Sequence, residues 1–148
     1  MYEHVLLPYD GSDESRKGAE HGLDLAASVG ATAHGLYVMD LPGVPRALAL
    51  RDDEEQIRRE YREYGDRVLT ELGEMAEERG VAYESALRTG SISDEIVDFA
   101  ENEGMDAIVM GSAYRGKLGN ILGGTTDKVV RTATVPVVTR RMHVDELG

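Results

Sequence analysis

Short apolar runs bounded by turn-forming residues alternate along this chain with longer stretches in which apolar residues return every three or four positions. The first run, His4 to Tyr9, carries Val5-Leu6-Leu7 and gives way to Pro8, Asp10 and Gly11, the pattern of a buried strand entering a turn. Ser12 followed by Asp13 and Glu14 supplies a cap and a negatively charged first turn. A helix is predicted over Ser12 to Val29, with Ala19, Leu23, Ala26 and Ala27 on its apolar face and Gly30 as its stop. Ala31 to Met39 reads as the second strand. From Leu41 to Asp53 the period is lost among Pro42, Gly43, Pro45 and several charges, which predicts a long surface connection. Ile57, Tyr61, Tyr64, Val68, Leu72 and Met75 then step at helical spacing, and the whole stripe is assigned to the core side of a helix packed on a sheet.

Gly80 ends that helix, and Val81 to Arg88 alternates as a third strand. Gly90-Ser91 opens a shorter helix with Ile92, Ile96, Val97 and Ala100 on one side, closed by Gly104. Ala107 to Met110 is an unbroken apolar run, as expected of a strand covered on both faces. A last helix is predicted over Thr125 to Thr132 and a last strand over Val135 to Thr139. Because Pro136 cannot donate to a ladder, that strand is expected at a sheet edge. Strands and helices in strict alternation give an α/β fold, a parallel sheet with helices on both faces. One domain over residues 1–141 is expected, with an acidic, frayed tail over 142–148.

The chain has 148 residues, with 28 Asp plus Glu against 16 Lys plus Arg, a net charge of −12, and no Cys or Trp. A domain of this size buries enough surface to fold without disulfides or a structural metal. So negative a surface repels phosphate backbones and anionic headgroups, so neither nucleic acid nor membrane is expected as a partner. The apolar patch near the N-terminus is too short for a signal core or a membrane span, and the expected location is cytoplasmic. Only Lys17, Lys117 and Lys128 are lysines, a composition like that of salt-adapted cytoplasmic proteins.

In open parallel sheets ligands sit at the carboxyl ends of strands, which directs attention to three loops. After the first strand, Asp10 can accept hydrogen bonds from a ribose or an adenine amino group; an Asx-turn with Ser12 as helix cap is the plainer account. After the fourth, the stretch from Gly111 to Gly124 holds five glycines, with Arg115 and Lys117, two of the few cations. It ends in Gly124-Thr125-Thr126 at a helix start, where unpaired N–H groups and the dipole favour an anion. Thr125 or Thr126 as a simple N-cap is the competing account. His4, His21, His34 and His143 lack paired ligand spacing, so no metal site of the protein's own is expected. No Ser-His-Asp set stands out and no nucleophile elbow is present, so no catalytic residue is assigned; at most weak ATP hydrolysis is expected.

The opening VLLPYDGSDESRKGAEHGLDLAASVGATAHGLYVMD and the closing AIVMGSAYRGKLGNILGGTTDKVVRTATVPVVTRR together resemble the universal stress protein family over Tyr2 to Arg140. The resemblance implies strand order 3-2-1-4-5 in a Rossmann-like single domain, a homodimer, and in one subgroup an adenine nucleotide held by a Gly-x2-Gly-x9-Gly-Ser/Thr pattern. Here that pattern falls on Gly111, Tyr114 and Gly124-Thr125, with tyrosine in place of the second glycine and Gly116 two residues beyond it. By the same resemblance Pro8, Asp10, Val38 and Met110 line the adenine and ribose pocket, with Gly111 beside the ribose and Gly124, Thr125 and Thr126 around the phosphates. ATP or AMP is the expected ligand, with Mg²⁺ on the phosphates near Asp10 or Asp127. Core packing is the plainer account of Pro8, Val38 and Met110. The expected homodimer forms through Val135 to Thr139, burying an apolar edge. Two functions follow: a nucleotide-binding stress or signalling protein, or a nucleotide-free dimeric adaptor in which Tyr114 closes the pocket.

Overall fold

A computed structural model of the chain describes residues 1–40, 51–112 and 124–142. Its elements are β1 (His4–Pro8), α1 (Asp13–Val29), β2 (Thr32–Met39), α2 (Arg51–Glu78), β3 (Tyr83–Thr89), α3 (Ile92–Asn102), β4 (Ala107–Ser112), α4 (Gly124–Thr132) and β5 (Val137–Arg141). The five strands form one open sheet in the order β3-β2-β1-β4-β5, every neighbouring pair parallel. Val5 of β1 stands opposite both Ala33 of β2 and Ala107 of β4, so β1 is the central strand.

Strand alternation divides the core into two layers. Val5 and Leu7 point to one face, where they meet Leu23 and Ala26 of α1 and Leu72 and Ala76 of α2. Leu6 points to the other, with Leu36, Ile108, Ile96 of α3 and Val129 of α4. Burying each leucine or isoleucine of these layers contributes about 1.5–3 kcal/mol, the main force joining helices to sheet. At one place the join is closer than side chains allow. A Cβ on Gly18 of α1 would lie 2.2 Å from the Gly111 nitrogen, and a Cβ on Gly111 would lie 1.7 Å from the Glu14 carbonyl oxygen. Helix α1 therefore crosses the end of β4 with backbone against backbone, and both positions require glycine.

Four expectations change. Helix α2 begins at Arg51, so residues 51–53 of the expected connection are helical; no proline or glycine between Pro45 and Gly65 opposes this. Residues 41–50 of that connection lie outside the described residues. Only the second half of the α2 stripe is core: Val68 and Leu72 are buried, Ile57 and Met75 are half-buried, and Tyr61 and Tyr64 are 41% and 36% exposed. A 28-residue helix is about 42 Å long, whereas the eight-residue β2 spans only about 27 Å, so its first half runs beyond the sheet. The last strand is an edge strand, as expected, but it is Val137–Arg141 rather than Val135 to Thr139, so the proline precedes it. Pro136 ends the approach to it, its carbonyl accepting from the Ile108 N–H at 2.9 Å. Met142, expected in the frayed tail, is buried, and its N–H donates to the Ser112 carbonyl at 3.0 Å.

Candidate functional site

The winding of the sheet reverses between β1 and β4, and a crevice opens there beyond their carboxyl ends, where ligands of doubly wound folds bind. It has a volume of about 200 Å³. Typical drug-sized ligand sites enclose roughly 300–1,000 Å³, so a ligand of nucleotide size held here keeps part of its surface against solvent. Pro8, Asp10, Val38, Met110, Gly111, Gly124, Thr125 and Thr126 all line it. Tyr114, Arg115, Gly116 and Lys117 lie outside the described residues.

The rim formed by β1 and α1 is acidic and internally tied. Ser12 caps α1, its Oγ accepting from the Ser15 N–H at 3.3 Å. Asp10 Oδ1 accepts from both the N–H and the hydroxyl of Ser12, at 2.9 and 2.5 Å. The Asx-turn account thus covers Asp10 as well as Ser12, although both bonds fall on one carboxylate oxygen. The Asp10 carbonyl accepts from the Tyr64 hydroxyl at 2.5 Å, so a side chain from the exposed half of α2 holds this loop. Tyr9, also on the rim, donates to Glu71 Oε1 at 3.2 Å, and burial pushes its pKa up to about 12, keeping the phenol protonated. Glu14 adds a second carboxylate to this side.

The opposite rim is the start of α4. Because the helix begins at Gly124, Thr125 and Thr126 lie inside its first turn, and neither is the N-cap. The N–H groups of Gly124, Thr125 and Thr126 lie at the start of α4 as described, the end that carries the positive pole of the helix dipole. Thr126 Oγ1 donates to the Gly111 carbonyl at 3.2 Å, which binds α4 to β4. A Cβ on Gly124 meets nothing within 4 Å. The floor is apolar: Leu36, Val38, Met110 and Ile96, with Ile92 at the mouth, 36% exposed. The arrangement is polarised, with acidic residues on one side, the positive end of a helix dipole on the other and an apolar floor between.

For Gly111 the structure gives a reason that motif spacing does not, the backbone contact with α1. Asp127 does not line the crevice; it pairs with Arg131 one turn along α4. Among the described residues no group of three or more His, Cys, Asp or Glu is placed to hold a metal ion, and no helix is long and apolar enough to cross a membrane. Sequence reasoning missed Tyr9, Glu14, Ser15, Leu36, Ile92, Ile96 and Ser112 as lining residues. The isoleucines carry the same helical period as core residues and gave no separate signal. Ser112 was legible in principle, since it continues the alternation of Ile108 and Met110.

The profile of the Universal stress protein family matches residues 1–141. The chain is 34% identical over 140 residues to universal stress protein MJ0531 of Methanocaldococcus jannaschii, covering 93% of this chain and 81% of that one. Its fold is similar to that of the hypothetical protein MJ0577 of the same organism, with a TM-score of 0.81 at 23% identity over 97% of this chain and 98% of the other. It is also similar to an Arabidopsis thaliana universal stress protein family protein with AMP bound, with a TM-score of 0.75 at 21% identity over 99% and 95% of the two chains. The sheet order, the full-length profile match and the relative at 34% identity agree, and the chain belongs to the universal stress protein family.

Proposed function

We propose that this chain is a nucleotide-binding stress-response or signalling protein that holds ATP or AMP in the crevice between β1 and β4. The observation that carries this reading is the polarity of the crevice, which matches the three parts of an adenylate. The apolar floor of Val38 and Met110 takes the base, with Pro8 at its edge. Asp10 accepts hydrogen bonds from ribose hydroxyls or the base amino group, and Gly111 stands beside the ribose. The first-turn N–H groups of α4, at Gly124, Thr125 and Thr126, take the phosphates, which the carboxylates of Asp10 and Glu14 repel from the other rim. Mg²⁺ enters with the phosphates, Asp10 being the candidate carboxylate on the crevice. The AMP-bound Arabidopsis protein of similar fold supports an adenine nucleotide as the ligand. Binding stabilises the liganded conformation by mass action, about 2.7 kcal/mol at a hundredfold excess over Kd.

The edge strand β5 exposes one row of backbone groups, and a second copy of the chain pairing along it is the proposed homodimer. A monomer mass by light scattering at micromolar concentration would count against that pairing.

Acid extraction of the purified protein, followed by thermal unfolding with added AMP or ATP and Mg²⁺, tests the nucleotide reading at fixed ionic strength, because a net charge of −12 makes stability salt-dependent. A rise in Tm is expected. No extracted nucleotide and no shift at millimolar ligand would favour the nucleotide-free adaptor. In Gly124→Val the new side chain projects into open space, so the fold is kept and affinity is expected to fall at least about tenfold. Unchanged affinity would remove α4 as the phosphate cradle.

A further inference from the structure

The sheet has two lateral edges, β5 at one end of the strand order and β3 at the other. Among the described residues β3 pairs with β2 alone. The Ala33 N–H donates to the Ala82 carbonyl at 2.8 Å, and the Gly90 N–H donates to the Met39 carbonyl at 3.0 Å. Backbone groups of alternate residues turn to the same side of a strand, so Glu84, Ala86 and Arg88 bond to β2. Tyr83, Ser85, Leu87 and Thr89 direct their N–H and C=O groups away from it, and such a row is a template for another strand.

The side chains carry a second pattern. Glu84, Ala86 and Arg88 share the face covered by α3, where Ala86 packs against the core and the Arg88 guanidinium lies 5.2 Å from the centroid of the Phe99 ring. The Glu84 side chain is 72% exposed. Charges commonly guard an open edge against pairing. Here opposite charges stand two residues to either side of a small one, so a second copy run antiparallel about Ala86 brings Glu84 of each chain directly opposite Arg88 of the other. The backbone phase agrees with that register. It opposes Ser85 to Leu87 and Tyr83 to Thr89, the residues whose groups turn outward, and these form the hydrogen-bonded pairs. Ala86 meets Ala86 and Glu84 meets Arg88 in the non-hydrogen-bonded pairs, where side chains are closest. Moving the register by two residues keeps the backbone bonds but sets one charge of each pair against alanine.

We infer that β3 is a self-pairing edge, which joins two copies of this chain antiparallel about Ala86 into one continuous sheet, with two Glu84–Arg88 pairs fixing the register. The occupant is a second copy because the strand is complementary to itself, and one twofold axis matches both charges of both chains. The pairing is separate from the one proposed for β5, at the opposite edge, and neither depends on the other.

The chain has no cysteine, so one introduced thiol reports one position. Opposed residues of a non-hydrogen-bonded pair have Cα atoms about 4.5 Å apart, within the span of a disulfide. Under a mild oxidant Ala86→Cys is expected to give a cross-linked dimer, and Ser85→Cys, opposite Leu87 of the second copy, to do so at least about tenfold more slowly. Adding Glu84→Arg to Ala86→Cys sets like charges opposite one another and should slow cross-linking about tenfold; adding Glu84→Arg and Arg88→Glu together should restore it. Absence of the Ala86→Cys dimer would overturn the inference. Equal rates for the two cysteine variants would overturn it too, by showing random collision. So would a rate indifferent to Glu84→Arg, or one that the double exchange fails to restore. The same charge variants without a cysteine give an independent measurement by sedimentation: Glu84→Arg and Arg88→Glu should each associate less than the wild type, and their equimolar mixture should recover association. A mixture that recovers nothing while both variants keep the wild-type Tm would overturn the pairing.

Discussion

At the amino edge of the sheet, Asp106 Oδ2 accepts from the N–H groups of Glu3 and His4 at 2.8 and 2.9 Å, and the Asp106 N–H donates to the His4 carbonyl at 2.8 Å. These two backbone bonds hold the Asp106 carboxyl below its ordinary pKa. His4 Nδ1 and His34 Nε2 lie 3.0 Å apart, and His34 Nδ1 faces Glu84 Oε2 at 3.4 Å. A carboxylate only accepts, so His34 carries its proton on Nδ1 and receives the His4 Nδ1–H on Nε2. At the carboxyl edge, by contrast, Ser112 Oγ is buried without a hydrogen-bond partner among the described residues, and the start of α4 turns the positive end of its dipole to the crevice. The amino edge closes its polar groups into one network, whereas the carboxyl edge sets its own bonded groups around a crevice.

The sharpest way to break this comparison is at the carboxyl edge, where α1 crosses the end of β4 backbone to backbone. Gly18→Ala places a Cβ 2.2 Å from the Gly111 nitrogen. Although alanine is ordinarily the better helix residue, a loss of about 1–3 kcal/mol is expected by denaturant titration, as for other overpacked sites. Gly124→Ala, with open space around its Cβ, should be near neutral in the same titration. A neutral Gly18→Ala would mean that α1 and β4 are not held backbone to backbone.

The amino edge is tested by pH. Burial lowers the His34 pKa, Glu84 and Glu103 raise it, and His4 lowers it further, with burial the largest effect. The unfolded chain therefore binds the proton more readily than the folded one, so the stability that neutral His34 contributes is present above about pH 6.5 and is lost as pH falls through its folded pKa. A proton on His34 Nε2 would also stand against the His4 Nδ1–H. Between about pH 7 and 5 the wild-type unfolding free energy should decline, and His34→Gln should flatten that slope. Identical slopes would remove the imidazole pair as the titrating element.

Tyr64→Phe gives the smallest effect and links the two halves of α2. Its hydroxyl is exposed and donates to the Asp10 carbonyl, so a stability loss of at most about 1 kcal/mol is expected. Loosening the Asp10 loop should weaken AMP binding a few-fold. Unchanged binding would confine Tyr64 to a local contact.

The Asp10 loop also shows how far sequence pattern reaches. Ser12 as a cap was legible because capping is a local bond within one turn. The hold of Tyr64 on Asp10 was not, since the two are 54 positions apart. The α2 stripe is similar: its period marks a helix correctly, but Tyr61 and Tyr64 repeat at the same spacing as Val68 and Leu72 whether or not a sheet lies beneath them.

What the sequence determined by itself was the succession of strands and helices and the edge of the sheet, the carboxyl one, at which to look for a crevice. These follow from period, capping and the rule that open parallel sheets bind at their carboxyl ends. The tertiary structure alone decided that Gly111 is glycine for the sake of α1, that half of α2 outruns the sheet, that Met142 is core, and that the Ser112 hydroxyl is orphaned. Each of these depends on how closely segments distant in the chain approach one another, a distance that side-chain spacing along a single element does not encode.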